Sequence, residues 1–176
     1  VSDVVEHLRH LKLEHYGLVE RIRLLEEKAN IDIKTQLYKY SEIYLETQLK
    51  IASRALEGSS DEDYHVSYIR MDIDNFSRLN NTWGHDLGDK VLFGLAQIIR
   101  QNTRPTDWPI RFGGEEFDLM LPSTDRKGAV KVVQKIFKRL RAFYVPHQRE
   151  KIRVTISAGI TEYAIAGKKL RQIERK

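Results

Sequence analysis

The stretch RFGGEEFDLMLP, residues 111–122, decides the fold of this 176-residue chain. Short apolar runs stand on both sides of the GGEE sequence at 113–116. Paired glycines supply the positive φ that a tight hairpin turn demands, so the pattern predicts two antiparallel strands at 110–112 and 117–121. A β-hairpin whose turn carries two carboxylates is therefore expected in the centre of the chain.

Periodic patterns surround this hairpin on both sides. The apolar run VSYIRMDI at residues 66–73 predicts a buried strand. Helical spacing or strict alternation predicts the other elements, which are helices near 76–81, 87–101 and 128–143 and a period-two strand at 152–159. This order predicts an α/β (α+β) fold, a palm-like ferredoxin or nucleotidyl-cyclase arrangement whose central sheet contains antiparallel strands.

The first 29 residues carry a heptad pattern. Spacings of three and four place nine positions on one seam, namely Val1, Val4, Leu8, Leu11, His15, Leu18, Ile22, Leu25 and Ala29. We expect an N-terminal coiled-coil helix at 1–29 that makes the chain a homodimer, and the alternative is an amphipathic helix packed on its own domain. Residues 30–176 then form the globular domain, which begins with a further helical pattern at 41–56.

The composition excludes several functional classes. The chain has no cysteine, which excludes disulfides, zinc–thiolate sites and thiol nucleophiles. No run approaches the ~18 apolar residues of a membrane span, so we expect no membrane insertion of this segment. Residues 126–176 carry 15 basic and 3 acidic side chains. A solvated helix face is the first interpretation of this region and a polyanionic ligand the second, whereas the lack of interleaved aromatic residues argues against nucleic acid.

Two pairs of carboxylates are the candidate chemical groups. Asp72 and Asp74 end the predicted central strand, and Glu115 and Glu116 occupy the hairpin turn. If the hairpin pairs beside that strand, these acids converge at one sheet edge, where a cation must neutralise them. All candidate ligands are oxygens, with no cysteine and no neighbouring histidine pair, so the sequence predicts Mg²⁺ or Mn²⁺ rather than zinc.

Four segments carry a family resemblance, which are MDIDNFSRLNNTWGHDLGDKVL at 71–92, RFGGEEFDLMLP at 111–122, VTISAGIT at 154–161 and DIKTQL at 32–37. Together they resemble the GGDEF-domain diguanylate cyclases, in the GGEEF variant, over residues 30–163. The resemblance implies that two GTP molecules are condensed into cyclic di-GMP and two pyrophosphates by an antiparallel pair of domains. It further implies a cytoplasmic protein with an upstream sensory domain, of which this chain is expected to be a fragment because it starts at Val1.

The same resemblance implies roles for individual residues. Its metal ligands fall on Asp72, the carbonyl of Ile73, and Glu115. The catalytic acids are Glu115, as proton acceptor for the attacking 3′-hydroxyl, and its companion Glu116. The substrate positions are Asn80 and Asp89 for guanine, His85, and Gly113 and Gly114 beside the triphosphate. Guanine presents N1–H and N2–H₂ as adjacent donors that an ionised Asp89 accepts together, so GTP is favoured over ATP.

A second ligand site is implied upstream of the hairpin. The segment RPTD at 104–107 lies four residues before Arg111, which is the spacing of the family's RxxD product-inhibition site. The resemblance implies that Arg104, Asp107 and Arg111 bind cyclic di-GMP. Without the resemblance, a salt bridge within the loop is the simpler interpretation of Arg104 and Asp107.

The chain also departs from the family pattern. Ser77 stands where the family usually has a phosphate-binding lysine, and Asn75 stands where it has an aromatic residue. The C-terminal helix that usually follows the late strand has no counterpart, through truncation or through degeneration. These departures keep a second hypothesis open, a catalytically weak module that acts as a cyclic di-GMP or GTP receptor or as a dimeric scaffold.

Overall fold

The structure is a computed structural model that describes Glu6, residues 30–41 and residues 64–165. The chain separates into two compact units, Val1–Ile31 and Asp32–Lys176. The predicted coiled coil, apart from Glu6, and the predicted helix at 41–56, apart from Ser41, lie outside the described residues. Both stay predictions.

The described part of the second unit alternates strands and helices. In chain order the elements are β1 (Tyr38–Lys39), β2 (Tyr64–Ile73), α1 (Phe76–Trp83), α2 (His85–Gln101), β3 (Trp108–Gly113), β4 (Glu116–Pro122), α3 (Arg126–Ala142), β5 (Val145–His147), β6 (Glu150–Ile152) and β7 (Ile156–Ile165). The predicted central strand, the hairpin and the three helices are all present, each within two residues of its expected ends.

Five strands form one sheet in the order β1-β3-β4-β2-β7. β1 runs parallel to β3, and every other pairing is antiparallel. β4 pairs directly with β2, so the hairpin lies beside the central strand as expected. The mixed, mostly antiparallel sheet confirms the predicted fold class.

The helices pack against one face of the sheet, where their apolar side chains form a hydrophobic core with those of the strands. Alternate side chains of β2, Ile69, Met71 and Ile73, pack in this core with Leu95 and Ile99 of α2. Successive strand residues point to opposite faces, whereas helical residues three and four apart share a face. The apolar residues that alternate along β2 and those that recur at helical spacing along α2 therefore pack against each other. This packing holds the carboxyl end of β2 in place.

The predicted strand at 152–159 is wrong in its bounds. β6 ends at Ile152, and β7 begins at Ile156 and continues to Ile165. Between them Arg153 donates through Nη1 to the carbonyls of Arg141 and Phe143, at 2.8 and 3.5 Å. Burial still alternates along residues 152–156, but Ile152 pairs with Val145 of β5 whereas Ile156 pairs with Ile73 of β2, so the pattern is divided between two sheets. The hairpin β5–β6, which the sequence analysis missed, occupies the preceding residues.

Among residues 30–41 and 64–165, no helix combines the length and apolar character needed to cross a membrane.

Candidate functional site

The acids of β2 and of the hairpin lie side by side. In the antiparallel register, Asp72 is opposite Glu116, and the backbone N–H of Ile73 donates to the carbonyl of Glu115 at 3.3 Å. All three acidic side chains are partly buried. The strand pairing thus brings Asp72, Glu115 and Glu116 to one edge of the sheet, as the sequence predicted.

The donor chemistry at this edge fits a hard cation. Asp72 and Glu115 offer carboxylate oxygens on adjacent segments, the arrangement that Mg²⁺ uses when substrate phosphates complete its coordination. Within the described ranges, no group of three or more acidic, histidine or cysteine side chains forms a ready-made metal site. We therefore expect the chain to supply only part of the coordination sphere, with the remaining ligands coming from phosphate oxygens and water.

The glycine turn leaves open space in front of the carboxylates. A Cβ added at Gly113 or Gly114 would meet no atom within 4 Å. Only Gly114 has a positive φ, of 21°, so the expectation that both glycines supply positive φ is wrong for Gly113. The register of the hairpin shifts between Arg111 and Gly113. Because of this irregularity, the turn closes with a positive φ at Gly114 and none at Gly113. Gly113 therefore leaves room for a ligand without being needed for the turn.

Asp74 belongs to a different set of contacts. Its two carboxylate oxygens accept hydrogen bonds from the hydroxyls of Thr155 and Ser157, at 2.5 and 2.7 Å. Its backbone N–H also donates to the carbonyl of Thr155 at 3.0 Å. Both hydrogen bonds, the one from Thr155 more than the one from Ser157, hold the pKa of Asp74 below its ordinary value. Asp74 therefore ties the end of β2 to the start of β7.

Replacing Asp74 with Ala is expected to lower the free energy of unfolding by about 1 to 2 kcal/mol at pH 7, because two hydroxyl hydrogen bonds are lost. Because the pKa of Asp74 is lower in the folded state, its ionised form stabilises the fold at pH values above the unfolded pKa of ~3.9. This stabilisation is lost as the pH falls through the pKa of the folded state. Urea unfolding of wild type and Asp74→Ala between pH 7 and pH 2 should therefore show a gap that closes below pH ~4. A gap that does not change with pH would contradict this role, and Ser157→Ala should show a smaller gap.

The three predicted base-site residues lie on α1 and α2. Asn80 is partly buried, and its Oδ1 atom is buried without a hydrogen-bond partner. That atom stands 2.0 Å from where a Cβ at Gly88 would lie, so any larger residue at 88 would displace the Asn80 side chain. His85 is exposed as the first residue of α2. Asp89 is one turn further along the same helix, and its Oδ1 accepts a hydrogen bond from Lys34 Nζ at 2.8 Å.

Lys34 is carried by a closed turn at residues 32–37. The N–H of Asp32 donates to the carbonyl of Leu37 at 2.8 Å, and the N–H of Gln36 donates to the carbonyl of Asp32 at 2.7 Å. Asp32 Oδ1 also accepts from the N–H and the hydroxyl of Thr35, a side chain that is fully buried. The sequence analysis missed the contact of Lys34 with Asp89, although the Asp-x-x-Thr spacing was a signal for the turn.

Arg111 is half-buried near this group of acids. Its guanidinium lies 4.6 Å from the ring centroid of Phe117, and its Nη1 is buried without a hydrogen-bond partner. Burial lowers the pKa of Arg111, while the charges of Asp32, Glu115 and Asp89 act in the opposite direction. The positive charge of Arg111 therefore lies near Asp32, Glu115 and Asp89, in addition to its predicted role with the RxxD segment at 104–107.

The RxxD loop is closed through its backbone. Asp107 Oδ2 accepts from the N–H of Arg104 at 2.7 Å, and the N–H of Asp107 donates to the carbonyl of Arg104 at 3.0 Å. Asp107 is buried and its Oδ1 has no hydrogen-bond partner, while Arg104 is exposed. Burial raises the pKa of Asp107. The side chains of Arg104 and Asp107 form no salt bridge in this described loop, so the alternative interpretation of the motif is not borne out.

An ion pair between β2 and β4, with its acid buried and its arginine partly exposed, was also missed from the sequence. Asp118 is fully buried and accepts from Arg70 Nε and Nη2 at 2.9 and 2.8 Å, with the hydroxyl of Tyr68 as a third donor. The Arg70 guanidinium also lies 3.8 Å from the ring centroid of Phe112, the residue before Gly113. A single acid inside the apolar run FDLML was a signal, since buried charges are almost always paired.

Comparison with known proteins places these features in a family. Residues 29–176 match the family described as "Diguanylate cyclase, GGDEF domain". The chain is 40% identical over 104 residues to the response regulator PleD of Caulobacter vibrioides strain NA1000 / CB15N, which covers 58% of this chain and 23% of that protein. It is 36% identical over 137 residues to diguanylate cyclase A of Treponema denticola, which covers 78% of this chain and 36% of that protein. The chain thus spans well under half the length of these relatives.

A solved structure agrees with the sequence matches. The fold superimposes on diguanylate cyclase SiaD from Pseudomonas aeruginosa, in complex with its activator SiaC, with a TM-score of 0.71 and 29% identity over 97% of this chain and 64% of that one. The family match extends over most of the chain and includes the sheet, the glycine turn and the acidic edge. On these grounds the chain belongs to the GGDEF-domain family of diguanylate cyclases.

Proposed function

We propose that this chain condenses two molecules of GTP into cyclic di-GMP, releasing two pyrophosphates. The observation that carries the proposal is the β2–β4 register, which sets Asp72 opposite Glu116 with Glu115 on the adjoining turn. Its support is a set of oxygen ligands next to an open glycine turn, the combination that binding and activating a triphosphate requires.

Each residue at the edge has a distinct task in this proposal. Asp72, the Ile73 carbonyl and Glu115 hold Mg²⁺ or Mn²⁺. When bound, such a cation supplies positive charge beside the phosphate oxygens. Glu115 accepts the proton of the attacking 3′-hydroxyl, and Glu116 is its companion acid. The bare backbone of Gly113 and Gly114 gives the triphosphate room beside the turn.

The base is recognised on α1 and α2. In this proposal Asp89 accepts N1–H and N2–H₂ of guanine, and Asn80 on α1 makes a further contact with the base. His85, the first residue of α2, is a further substrate-site residue in this proposal. Adenine lacks both donors, so Asp89 would gain no hydrogen bond from the base and ATP would bind more weakly.

Two copies of the chain complete the reaction in this proposal. Each domain brings one GTP, and the heptad at residues 1–29 pairs the two chains as a coiled coil. We place the reaction in the cytoplasm, where GTP is available, under the control of a sensory domain upstream. Ser77 is exposed on α1 and lacks the charge of the usual lysine, so a receptor role is the second candidate function.

The activity is tested by incubating the chain with GTP and Mg²⁺ or Mn²⁺ and separating the nucleotides by chromatography. Cyclic di-GMP and pyrophosphate are the expected products, and ATP in place of GTP should give no cyclic product. Tight binding of cyclic di-GMP without any product formation would favour the receptor function instead.

Replacing Arg104 with Ala is expected to weaken cyclic di-GMP binding about thirtyfold, which is about 2 kcal/mol, because a guanidinium fork to guanine or phosphate is lost. Isothermal titration calorimetry measures this affinity directly. The support is an exposed Arg104 beside Asp107, whose Oδ1 is buried and unpaired.

The control for this measurement is Arg100→Ala, which removes an equally exposed arginine from the last turn of α2. Its affinity for cyclic di-GMP should equal that of wild type. If Arg104→Ala and Arg100→Ala bind alike, the loop at 104–107 is a structural turn and not a product site.

A further inference from the structure

The contact between Lys34 and Asp89 joins two parts of the chain that are 55 residues apart in sequence. Lys34 Nζ lies 2.8 Å from Asp89 Oδ1, and the two side chains are 62% and 43% exposed. Exposed ion pairs contribute little to folding stability, so this pair has no strong structural reason to exist. The turn at 32–37 nevertheless fixes the backbone that carries Lys34, through two backbone hydrogen bonds and the buried side chain of Thr35.

The pair matches an edge of guanine that Asp89 alone cannot read in full. Guanine presents O6 as an acceptor next to the donors N1–H and N2–H₂. A carboxylate accepts from both donors but has nothing to donate to O6. A lysine ammonium has three donors, and Asp89 Oδ1 uses one of them.

We infer that Lys34 is a specificity-determining residue that donates a hydrogen bond to guanine O6 while Asp89 accepts from N1–H and N2–H₂. This inference rests on the proposed function, in which Asp89 binds the base. The ammonium lies beside Oδ1, so a base paired to the carboxylate through N1–H brings O6 next to Lys34. Adenine has an amino group at the same position and would present a donor to a cation.

Room for a base exists next to the acid. A shallow surface depression beside Asp89, lined by Asp86, Asp89, Lys90 and Phe93, is open to solvent. A ligand can therefore approach the Asp89 carboxylate from this side of α2. Arg111, another cation near Asp89, is half-buried and lies against the ring of Phe117, whereas Lys34 is the exposed lysine that donates to the carboxylate.

The test uses Lys34→Met, which keeps the length of the side chain and removes its charge. The probes are α,β-methylene triphosphates of guanosine, inosine and 6-thioguanosine, which bind without reacting, and calorimetry measures their affinity for the full chain. Lys34→Met should weaken the guanosine and inosine probes by about tenfold each, because both contain O6. The 6-thioguanosine probe, in which a poor sulfur acceptor replaces O6, should change by less than about twofold. Lys34→Arg should retain most of the affinity.

The control is Lys127→Met, an exposed lysine of α3 outside this site, which should bind all probes like wild type. Unchanged or tighter binding of the guanosine probe to Lys34→Met would overturn the inference, because Lys34 would then only shield the carboxylate. Equal losses for the guanosine and 6-thioguanosine probes would overturn it as well. If wild type makes cyclic di-GMP in either case, the proposed function stands. If wild type binds no guanosine probe and makes no product, the proposed function itself fails and the inference falls with it.

Discussion

Replacing Glu115 with Gln is expected to abolish cyclic di-GMP formation, with a loss of at least about 1,000-fold in kcat, or ~4 kcal/mol. Glutamine keeps the shape of the side chain but has no charge for the cation and no basicity for the 3′-hydroxyl proton. Glu115 lies on the turn with its carbonyl bonded to the N–H of Ile73, and this backbone contact does not depend on the side chain. The fold should therefore survive, and thermal unfolding should give the Tm of wild type.

The matched control is Glu150→Gln, the same chemical change on exposed strand β6. Chromatography of the products after incubation with GTP and Mg²⁺ should show full activity for this variant and none for Glu115→Gln. If Glu115→Gln forms product at more than about a tenth of the wild-type rate, Glu115 is neither the proton acceptor nor an essential metal ligand.

Replacing Asp118 with Ala is expected to lower the free energy of unfolding by about 3 kcal/mol and the Tm by roughly 10 °C. Asp118 is fully buried, and its loss leaves the Arg70 guanidinium and the Tyr68 hydroxyl without their acceptor. Arg70 is 44% exposed and can still reach water, which keeps the loss at the lower end for a buried ion pair. Calorimetry and urea unfolding both measure the effect.

A double-mutant cycle separates the ion pair from general damage to the core. Once Asp118 is Ala, the further change Arg70→Ala should cost only the contact with Phe112, whereas Arg70→Ala alone also removes two hydrogen bonds from a buried carboxylate and should destabilise more. Arg78→Ala, on the exposed face of α1, is the matched control and should unfold like wild type. Additive losses from Arg70→Ala and Asp118→Ala would contradict the pairing.

This ion pair also connects stability to the site. Arg70 lies over the ring of Phe112, and Tyr40 packs edge-on against the same ring with centroids 4.6 Å apart. Phe112 directly precedes Gly113, so the network supports the strand that leads into the glycine turn. Asp118→Ala is therefore expected to reduce cyclic di-GMP formation as well, through the position of the turn.

Much of the fold could be predicted because its signals are local. The glycines of the GGEE turn, the apolar run of β2 and the helical spacing at 87–101 each act within a few residues of chain, where turn geometry and side-chain periodicity are decided. The predicted strand at 152–159 was wrong in its bounds because pairing is not a local property. Its alternation was genuine, but Ile152 pairs with Val145 in one sheet and Ile156 with Ile73 in the other.

The sequence by itself predicted which residues carry the proposed chemistry, since Asp72, Glu115 and Asp89 stand at recognisable motif positions. Only the tertiary structure decided what each acid contacts. Asp89 meets Lys34 across 55 residues, Asp118 meets Arg70 across 48, and Asp74 meets Thr155 across 81. Strand register and helix packing bring these partners together, and both depend on hydrogen bonds and apolar contacts between segments that are distant in sequence. A short motif therefore does not predict these contacts, because the same local sequence is compatible with several pairing partners.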